Sequence, residues 1–285
     1  MKHYLPDWPQ ALILVLIFFA GSLVAGVFMI AGIDYTTPVY IVGMAFPLAF
    51  AWFMSRRNER AGLGYVPVNE PRSGKFKSIW PVLLIVFFAT PFLGVLIEPV
   101  SNLFPMPEWL EAAFEKMFNT SKPVDMVLST VILAPLCEEL LCRGIICRGL
   151  LALRKPWFAI VFSAFIFALL HGNLQQGIVA FFLGLFMGWV YLKTHSLWCT
   201  IAIHFANNAL SQVMSFIYPD LPMTATYSSL LPSGWYSALL VTSAVVVAAA
   251  LYIIYANYRD DQSIISFKVR SAASGEALGR ECPEE

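Results

Sequence analysis

One run of residues near the beginning of the chain carries no charge and reads ALILVLIFFAGSLVAGVFMIAGI, from Ala11 to Ile33. A helix that crosses a bilayer needs about 20 mostly apolar residues, since it covers roughly 30 Å of hydrocarbon at about 1.5 Å per residue. This run is long enough, and it is longer than the apolar core of a cleaved signal peptide. The sequence therefore predicts a membrane-spanning helix here.

The composition of the whole chain agrees with a membrane protein. Of its 285 residues, 59% are apolar or aromatic and 13% are charged, whereas soluble domains have about 45–50% and about 25%. The 18 basic and 18 acidic side chains are too few to cover the surface of a soluble protein of this length. Soluble dinucleotide-binding folds and nucleic-acid-binding proteins are thereby excluded.

Further apolar segments follow along the chain, and eight in all are long enough, or nearly so, to cross a bilayer. The fifth and sixth are short, so we expect them to be tilted or packed inside the bundle. The predicted fold class is all-α: a polytopic membrane protein with a bundle of about eight transmembrane helices. The predicted spans are Ala11–Ile33, Thr36–Ser55, Ile79–Ile97, Met126–Leu150, Pro156–His171, Gly177–Leu192, Ser196–Tyr218 and Gly234–Tyr258.

The basic residues predict the orientation of this bundle. Cytoplasmic loops of membrane proteins carry an excess of Lys and Arg. With the N-terminus inside, fifteen of the 18 basic residues fall in cytoplasmic segments, Arg148 among them, and only Lys116 and Lys122 fall outside. Losing one helix would reverse every later loop. We therefore predict that both termini are cytoplasmic.

The connections and ends of the chain give weaker signals. Residues 105–118, PMPEWLEAAFEKMF, repeat apolar side chains at helical spacing, which predicts an interfacial helix or, equally, a surface helix packed on the bundle. The tail from Asp260 to Glu285 is polar, and we expect it to be disordered. His3 lies at the terminus and His195 in a predicted cytoplasmic loop, so both are expected to be solvated.

Nearly all polar side chains of functional interest within the predicted spans lie between Glu138 and Asn208. Such groups are costly in lipid and mark functional sites. The fourth span contains APLCEELLCRG, with adjacent carboxylates at Glu138 and Glu139 and a guanidinium at Arg143. Glu139 and Arg143 share a helix face at i, i+4, which predicts an internal ion pair. Glu138 points elsewhere and has no basic partner on its own helix.

Two imidazoles and an amide complete the set of polar residues. His171 ends the fifth span, and His204 and Asn208 share a face of the seventh. Counted from the cytoplasmic ends at about 1.5 Å per residue, these residues and Glu138 lie at overlapping depths of roughly 10 to 21 Å. Each one alone is more often a packing group than a catalytic one. Together, on three helices, they predict a catalytic site.

The chemistry of such a site follows from its groups. A carboxylate in apolar surroundings is a competent base near neutral pH, and a neighbouring histidine can relay the proton, so the pair can deprotonate a water. An imidazole and an amide N–H on a facing helix can stabilise the oxyanion that forms when this water attacks an amide carbonyl. The residues therefore predict amide hydrolysis that needs no serine or cysteine nucleophile.

Three motifs follow one another in this part of the chain. In this order they resemble the signature of the CPBP family of intramembrane proteases, which includes the type II CAAX prenyl endopeptidases and the bacterial Abi proteins. The resemblance implies an eight-helix protease with its site in a cavity open to the cytoplasm. The motifs are Glu138-Glu139-x-x-x-Arg143, Phe167-x-x-x-His171 and His204-x-x-x-Asn208.

The resemblance also implies a role for each residue. Glu138 would activate the water with the help of His171, and His204 and Asn208 would stabilise the oxyanion. The predicted ion pair would hold its end of the helix in shape. These assignments give catalytic roles to side chains from three of the predicted spans.

A metal-dependent mechanism is the alternative. A Zn²⁺ ion held by Glu138, His171 and His204, with Glu139 as the base, is chemically reasonable. The sequence lacks the compact His-Glu-x-x-His arrangement of many zinc proteases, so the metal-free mechanism is favoured. No cofactor is assigned.

The resemblance also suggests a division of what we expect to be one membrane domain. Residues 1–122 would form an N-terminal three-helix region with the interfacial segment, 123–218 a CPBP-like catalytic bundle, 219–258 the last transmembrane helix and 259–285 a polar cytoplasmic tail. The expected partners are the lipid bilayer and a peptide or membrane-protein substrate, with or without a lipid anchor, and no nucleic acid. The expected location is the prokaryotic plasma membrane.

Two other functions are compatible with these residues. A membrane immunity or binding protein of the same fold would need no proteolysis. A proton-coupled transporter would also use intramembrane carboxylates and histidines, but the sequence shows no internal repeat of the kind found in many transporters.

Overall fold

The computed structural model of the protein describes residues 1–32, 35–113, 122–222, 225–259, 267, 269 and 270. Within these residues eight long helices occur, and each overlaps one predicted span. Residues 114–118 of segment 105–118 lie outside the described residues, as does most of the tail. The helices are α1 (Trp8–Ile30), α2 (Thr36–Arg60), α3 (Trp80–Ser101), α4 (Pro123 to Leu153), α5 (Pro156–Leu170), α6 (Leu174–Thr194), α7 (Leu197–Ile217) and α8 (Ser233–Tyr258).

The chain is an all-α polytopic membrane protein, as predicted. Helices α1, α2, α3, α6 and α8 are long and apolar enough to cross a membrane, and α5 is a shorter apolar helix. Large apolar side chains on the outside of the bundle, such as Leu23 and Val241, are 77% and 66% exposed. Such a surface is suited to lipid rather than to water. The described residues contain no β-strand, and the orientation of the bundle stays a prediction.

Helix α4 differs from the regular α-helix that the sequence predicts. Two stretches of it, Val127–Leu133 and Leu140–Cys147, are π-helical, and the α-helical segment Ala134–Glu139 lies between them. A π-helix bonds i to i+5, so it changes the angle between successive side chains and leaves backbone groups open to other partners. The two carboxylates of the site thus lie at the end of a short α-helical segment between two wider ones.

The other helices surround α4 as hairpins and neighbours. Helices α1 and α2 form one hairpin, α5 and α6 form another, and α3 packs against α7 and α8. One buried cluster joins α1, α2, α4 and α5 through residues such as Leu14, Met44 and Ile145. A second joins α3, α5, α6 and α7 and includes Phe167 and Ile203. Helix α4 contributes to both clusters, with Leu141 in the first and Cys142 in the second.

The end of α4 that is predicted to face the cytoplasm contains a buried arginine. Arg148, which is counted above with the cytoplasmic segments, has a fully buried side chain. Its guanidinium donates hydrogen bonds to five backbone carbonyls. The acceptors belong to Met1, Lys2, Tyr4, Val66 and Gly144.

Three expectations about this end of the bundle are wrong, two about solvated histidines and one about part of the tail. His3 is buried, and its Nδ1 donates to the carbonyl of Leu63 at 2.9 Å. His195 is buried as well, and its ring stacks on Phe267 with centroids 4.1 Å apart. Phe267 and Arg270, which pairs with Glu70, are therefore packed parts of a tail that was expected to be disordered. Segments distant in sequence bury these residues, so no local pattern could reveal it.

Candidate active site

The buried centre of the site is an ion pair on α4. Glu139 and Arg143 are both fully buried, and Nη1 of Arg143 donates to Oε1 of Glu139 at 2.8 Å. The predicted ion pair is thus confirmed. Nη2 of Arg143 donates to the backbone carbonyl of Gly184 on α6 at 3.1 Å. The pair therefore joins two helices as well as two turns of one helix.

His204 on α7 is bound to this pair. Its Nδ1 lies 3.1 Å from the same Oε1 of Glu139. Because an ionised carboxylate only accepts hydrogen bonds, Nδ1 of His204 must carry the hydrogen. Oε2 of Glu139 is buried and has no hydrogen-bond partner among the described residues. Glu139 is thus fully buried and enclosed by Arg143 and His204.

An aromatic ring holds the two histidines apart. The ring of Phe167 on α5 lies edge-on to both imidazoles, with centroids 5.0 Å from His171 and 5.3 Å from His204. The guanidinium of Arg143 lies 4.5 Å from the same ring centroid, within the range of a cation–π contact. Phe167 is buried. It therefore fixes the relative placement of three polar groups that come from three helices.

The residue directly after α5 is His171, and its tautomer follows from its partner. Nδ1 of His171 lies 2.9 Å from the backbone carbonyl of Phe167. A carbonyl oxygen can only accept, so Nδ1 carries the hydrogen. In the neutral ring this leaves Nε2 as the basic nitrogen. His171 is only half-buried, so this nitrogen is the one available to a water or a substrate.

Glu138 has surroundings unlike those of its neighbour. It is half-buried, and its Oε1 accepts a hydrogen bond of 3.1 Å from the hydroxyl of Tyr40 on α2. Sequence reasoning missed Tyr40, because tyrosines near membrane interfaces are common and nothing in its neighbourhood pointed to α4. Among the described residues, no direct hydrogen bond joins Glu138 to His171.

The amide of Asn208 on α7 is oriented from both ends. Its Nδ2 donates to the carbonyl of Thr130, in the first π-helical stretch, at 2.9 Å. Its Oδ1 accepts from Nδ2 of Asn207 at 3.1 Å. The Thr130 carbonyl fixes which end of the amide bears hydrogens, and one N–H of Asn208 remains for another acceptor. Asn207 thus helps to orient the amide of Asn208.

The predicted residues thus divide into one connected group and two flanking groups. Glu139, Arg143 and His204 touch each other, and Phe167 links them to His171. Glu138 and Asn208 have separate partners. In the part of the chain that the structure describes, no three His, Cys, Asp or Glu side chains are grouped to hold a metal ion. The arrangement therefore does not fit the zinc site formed by Glu138, His171 and His204.

Replacing Gly184 with Ala is expected to disturb this centre. A methyl group there would lie 3.0 Å from Cα and Cβ of Ala164 and 3.1 Å from Nη2 of Arg143. Overpacking of this kind typically costs about 1–3 kcal/mol. We expect a lower unfolding temperature in detergent than for wild type. Gly94→Ala on α3 is the control, since no atom lies within 4 Å of its new methyl group. Equal decreases in unfolding temperature in both variants would contradict the prediction.

The family comparison covers the part of the chain that contains this site. Residues 120–210 match the family model described as type II CAAX prenyl endopeptidase Rce1-like. The matched range contains all three motifs and the two π-helical stretches, and it confirms the resemblance seen in the sequence. It covers less than half of the chain. No curated protein and no solved structure matches the chain.

Proposed function

We propose that this integral membrane protein is an intramembrane endopeptidase of the CAAX-protease or bacteriocin-processing type. Its residues 120–210 match the Rce1-like CAAX protease family. One observation carries the proposal. Two adjacent carboxylates have opposite surroundings: Glu139 is enclosed by a guanidinium and an imidazole, whereas Glu138 is accessible and held by one neutral hydroxyl. The first is suited to support and the second to catalysis.

In the proposed first step Glu138 activates a water. A proton of the water passes to the carboxylate, with the basic Nε2 of His171 as the second acceptor that orients the water. The water oxygen then bonds to the carbonyl carbon of the substrate peptide. The π electrons of that carbonyl move onto its oxygen, which becomes an oxyanion.

The oxyanion is proposed to bind to α7. Asn208 has one amide N–H left after its bond to Thr130. His204 directs Nδ1–H at Glu139, so its Nε2 donates to the oxyanion when both ring nitrogens carry hydrogen. Such preorganised donors are the main source of stabilisation in acyl transfer. When the oxyanion collapses, the C–N bond breaks and the leaving amine takes the proton from Glu138.

The proposed substrate is a peptide or a membrane protein that reaches the site from the bilayer or its cytoplasmic face. The proposed location is a prokaryotic plasma membrane, on the basis of the short connections between helices. The test compares small peptides and membrane proteins, by mass spectrometry, in cells that produce the wild-type chain or Glu138→Ala. We expect precursors to accumulate and their fragments to disappear with Glu138→Ala.

A matched control uses another carboxylate. Glu108 is exposed and lies outside the bundle, so Glu108→Ala should give the wild-type fragments. Identical fragment patterns for wild type and Glu138→Ala would contradict proteolysis. That outcome, with an intact cellular phenotype, would favour a non-proteolytic binding or immunity protein.

A further inference from the structure

The first turn of α2 is attached to the first turn of α4. Asp125 is buried, and its Oδ2 accepts hydrogen bonds from the backbone N–H of Thr36 at 2.5 Å and from its hydroxyl at 2.7 Å. Oδ1 accepts from the backbone N–H of Thr37 at 3.1 Å. The first N–H groups of a helix lack partners within the helix. Asp125 therefore caps α2 from another helix and fixes the register between the two.

Tyr40 lies one turn beyond this cap. Residues four apart share a helix face, so Tyr40 follows Thr36 on the side of α2 that meets α4. Its ring is half-buried against the cluster that contains Met44 and Leu141. Its hydroxyl is the donor that reaches Oε1 of Glu138 at 3.1 Å. The cap and the packed ring together determine where this hydroxyl lies.

We propose that Tyr40 is a positioning residue that orients the carboxylate of Glu138 for water activation. This inference rests on the role proposed for Glu138. Among the described side chains, Tyr40 alone donates a hydrogen bond to that carboxylate. Tyr40 lies outside residues 120–210 and outside the three motifs, so neither the family match nor the signature assigns it a role.

The two oxygens of Glu138 become different as a result. Oε1 is occupied by the hydroxyl, and Oε2 accepts from no described residue, so Oε2 is the oxygen that takes the proton of the water. A carboxylate held by one bond to a packed ring loses less freedom when it meets the water. A hydroxyl donor also compensates in part for the loss of bulk water around an ionised group.

A purely structural role for Tyr40 predicts a different outcome. An aromatic ring near a membrane interface contributes through packing, whether or not it has a hydroxyl. Tyr40→Phe keeps the ring and removes only the donor. If Tyr40 acts through Glu138, this change alters the rate of the chemical step, whereas a packing role leaves it unchanged.

The test measures kcat and KM of purified chain in proteoliposomes. The probe is a quenched fluorescent peptide ending in a CAAX sequence with a farnesylated cysteine, beside the same peptide without the farnesyl group. Tyr40→Phe should lower kcat by about tenfold or more, as expected for loss of a hydrogen bond to a charged group, with KM and unfolding temperature unchanged. Tyr252→Phe is the matched control, since this tyrosine on α8 is 70% exposed, and it should behave as wild type.

Two further variants separate this inference from the proposed function. On a Glu138→Gln background, Tyr40→Phe should not lower kcat further, because the carboxylate that the Tyr40 hydroxyl orients has been removed. Glu138→Gln with wild-type turnover would overturn the proposed function itself. An inactive Glu138→Gln beside a Tyr40→Phe with wild-type kcat would overturn only the role of Tyr40. A Tyr40→Phe that lowers the unfolding temperature or raises KM alone would also overturn it, in favour of packing.

Discussion

Glu138→Gln should lower kcat by about a thousandfold and leave the unfolding temperature near that of wild type. General base catalysis typically contributes 10²–10⁴-fold to the rate, about the size of this effect. The amide keeps the shape of the carboxylate and can still accept the hydrogen bond from Tyr40, but it cannot take a proton from water. Stability should not change, because Glu138 is half-buried and has no ionic partner among the described residues.

Glu139→Gln is the matched comparison one residue away. Its loss leaves Arg143 as a buried charge without its partner, and breaking a buried pair in this way typically costs about 3–5 kcal/mol. We expect a clear fall in unfolding temperature. Single-turnover hydrolysis and thermal unfolding in detergent, measured on both variants, should therefore show the larger loss of rate for Glu138→Gln and the larger loss of stability for Glu139→Gln. Similar patterns in both would show that the two carboxylates do not have the separate roles assigned to them.

Arg148→Leu should destabilise the fold more than any surface change. The guanidinium satisfies five backbone carbonyls, and each buried carbonyl that loses its donor costs about 1–3 kcal/mol. A leucine fills part of the space and donates nothing, so we expect a loss of at least about 4 kcal/mol. Hydrogen–deuterium exchange should rise first in residues 1–6 and 65–68, which hold four of the five acceptors.

Arg154→Leu serves as the control for the loss of a cation from the same end of α4. Arg154 is 46% exposed and pairs with Asp7, and its hydrogen bond holds the pKa of Asp7 below the ordinary value. Exposed ion pairs contribute little to stability. We expect an unfolding temperature close to that of wild type. A decrease in unfolding temperature as large as that of Arg148→Leu would mean that the loss of charge, rather than the loss of donors to the buried carbonyls, destabilises the Arg148→Leu variant.

The sequence predicts the helices and the ion pair because both depend on local spacing. Each predicted span needs only a long apolar run, and Glu139 and Arg143 lie four residues apart on one helix. The π-helical stretches of α4 escaped prediction, since they depend on how neighbouring helices pack and not on local residue preferences. Glu139 and Arg143 nevertheless form the ion pair expected for residues four apart, although Arg143 lies within a π-helical stretch.

Contacts between distant segments account for the rest of what sequence reasoning missed. Tyr40 precedes Glu138 by 98 positions, and no pattern in α2 indicates which face of α4 it meets. His204 was expected beside Asn208 as a donor to the oxyanion, and its bond to Glu139 became visible only when α7 and α4 were placed together. The motifs thus identified the helices that form the site, while the pairing of side chains needed the fold.

The hydrogen bonds from Arg148 to five backbone carbonyls also affect the order in which parts of the chain can form their contacts. Tyr4 and Arg148 are 144 positions apart, so at about 5–20 residues per second the ribosome adds Arg148 roughly 7 to 30 seconds after Tyr4. Until then the carbonyls of Met1, Lys2 and Tyr4 lack the hydrogen bonds from Arg148. Residues 1–4 are therefore synthesised well before the guanidinium that binds their carbonyls, and a nascent chain that has not reached α4 lacks these contacts.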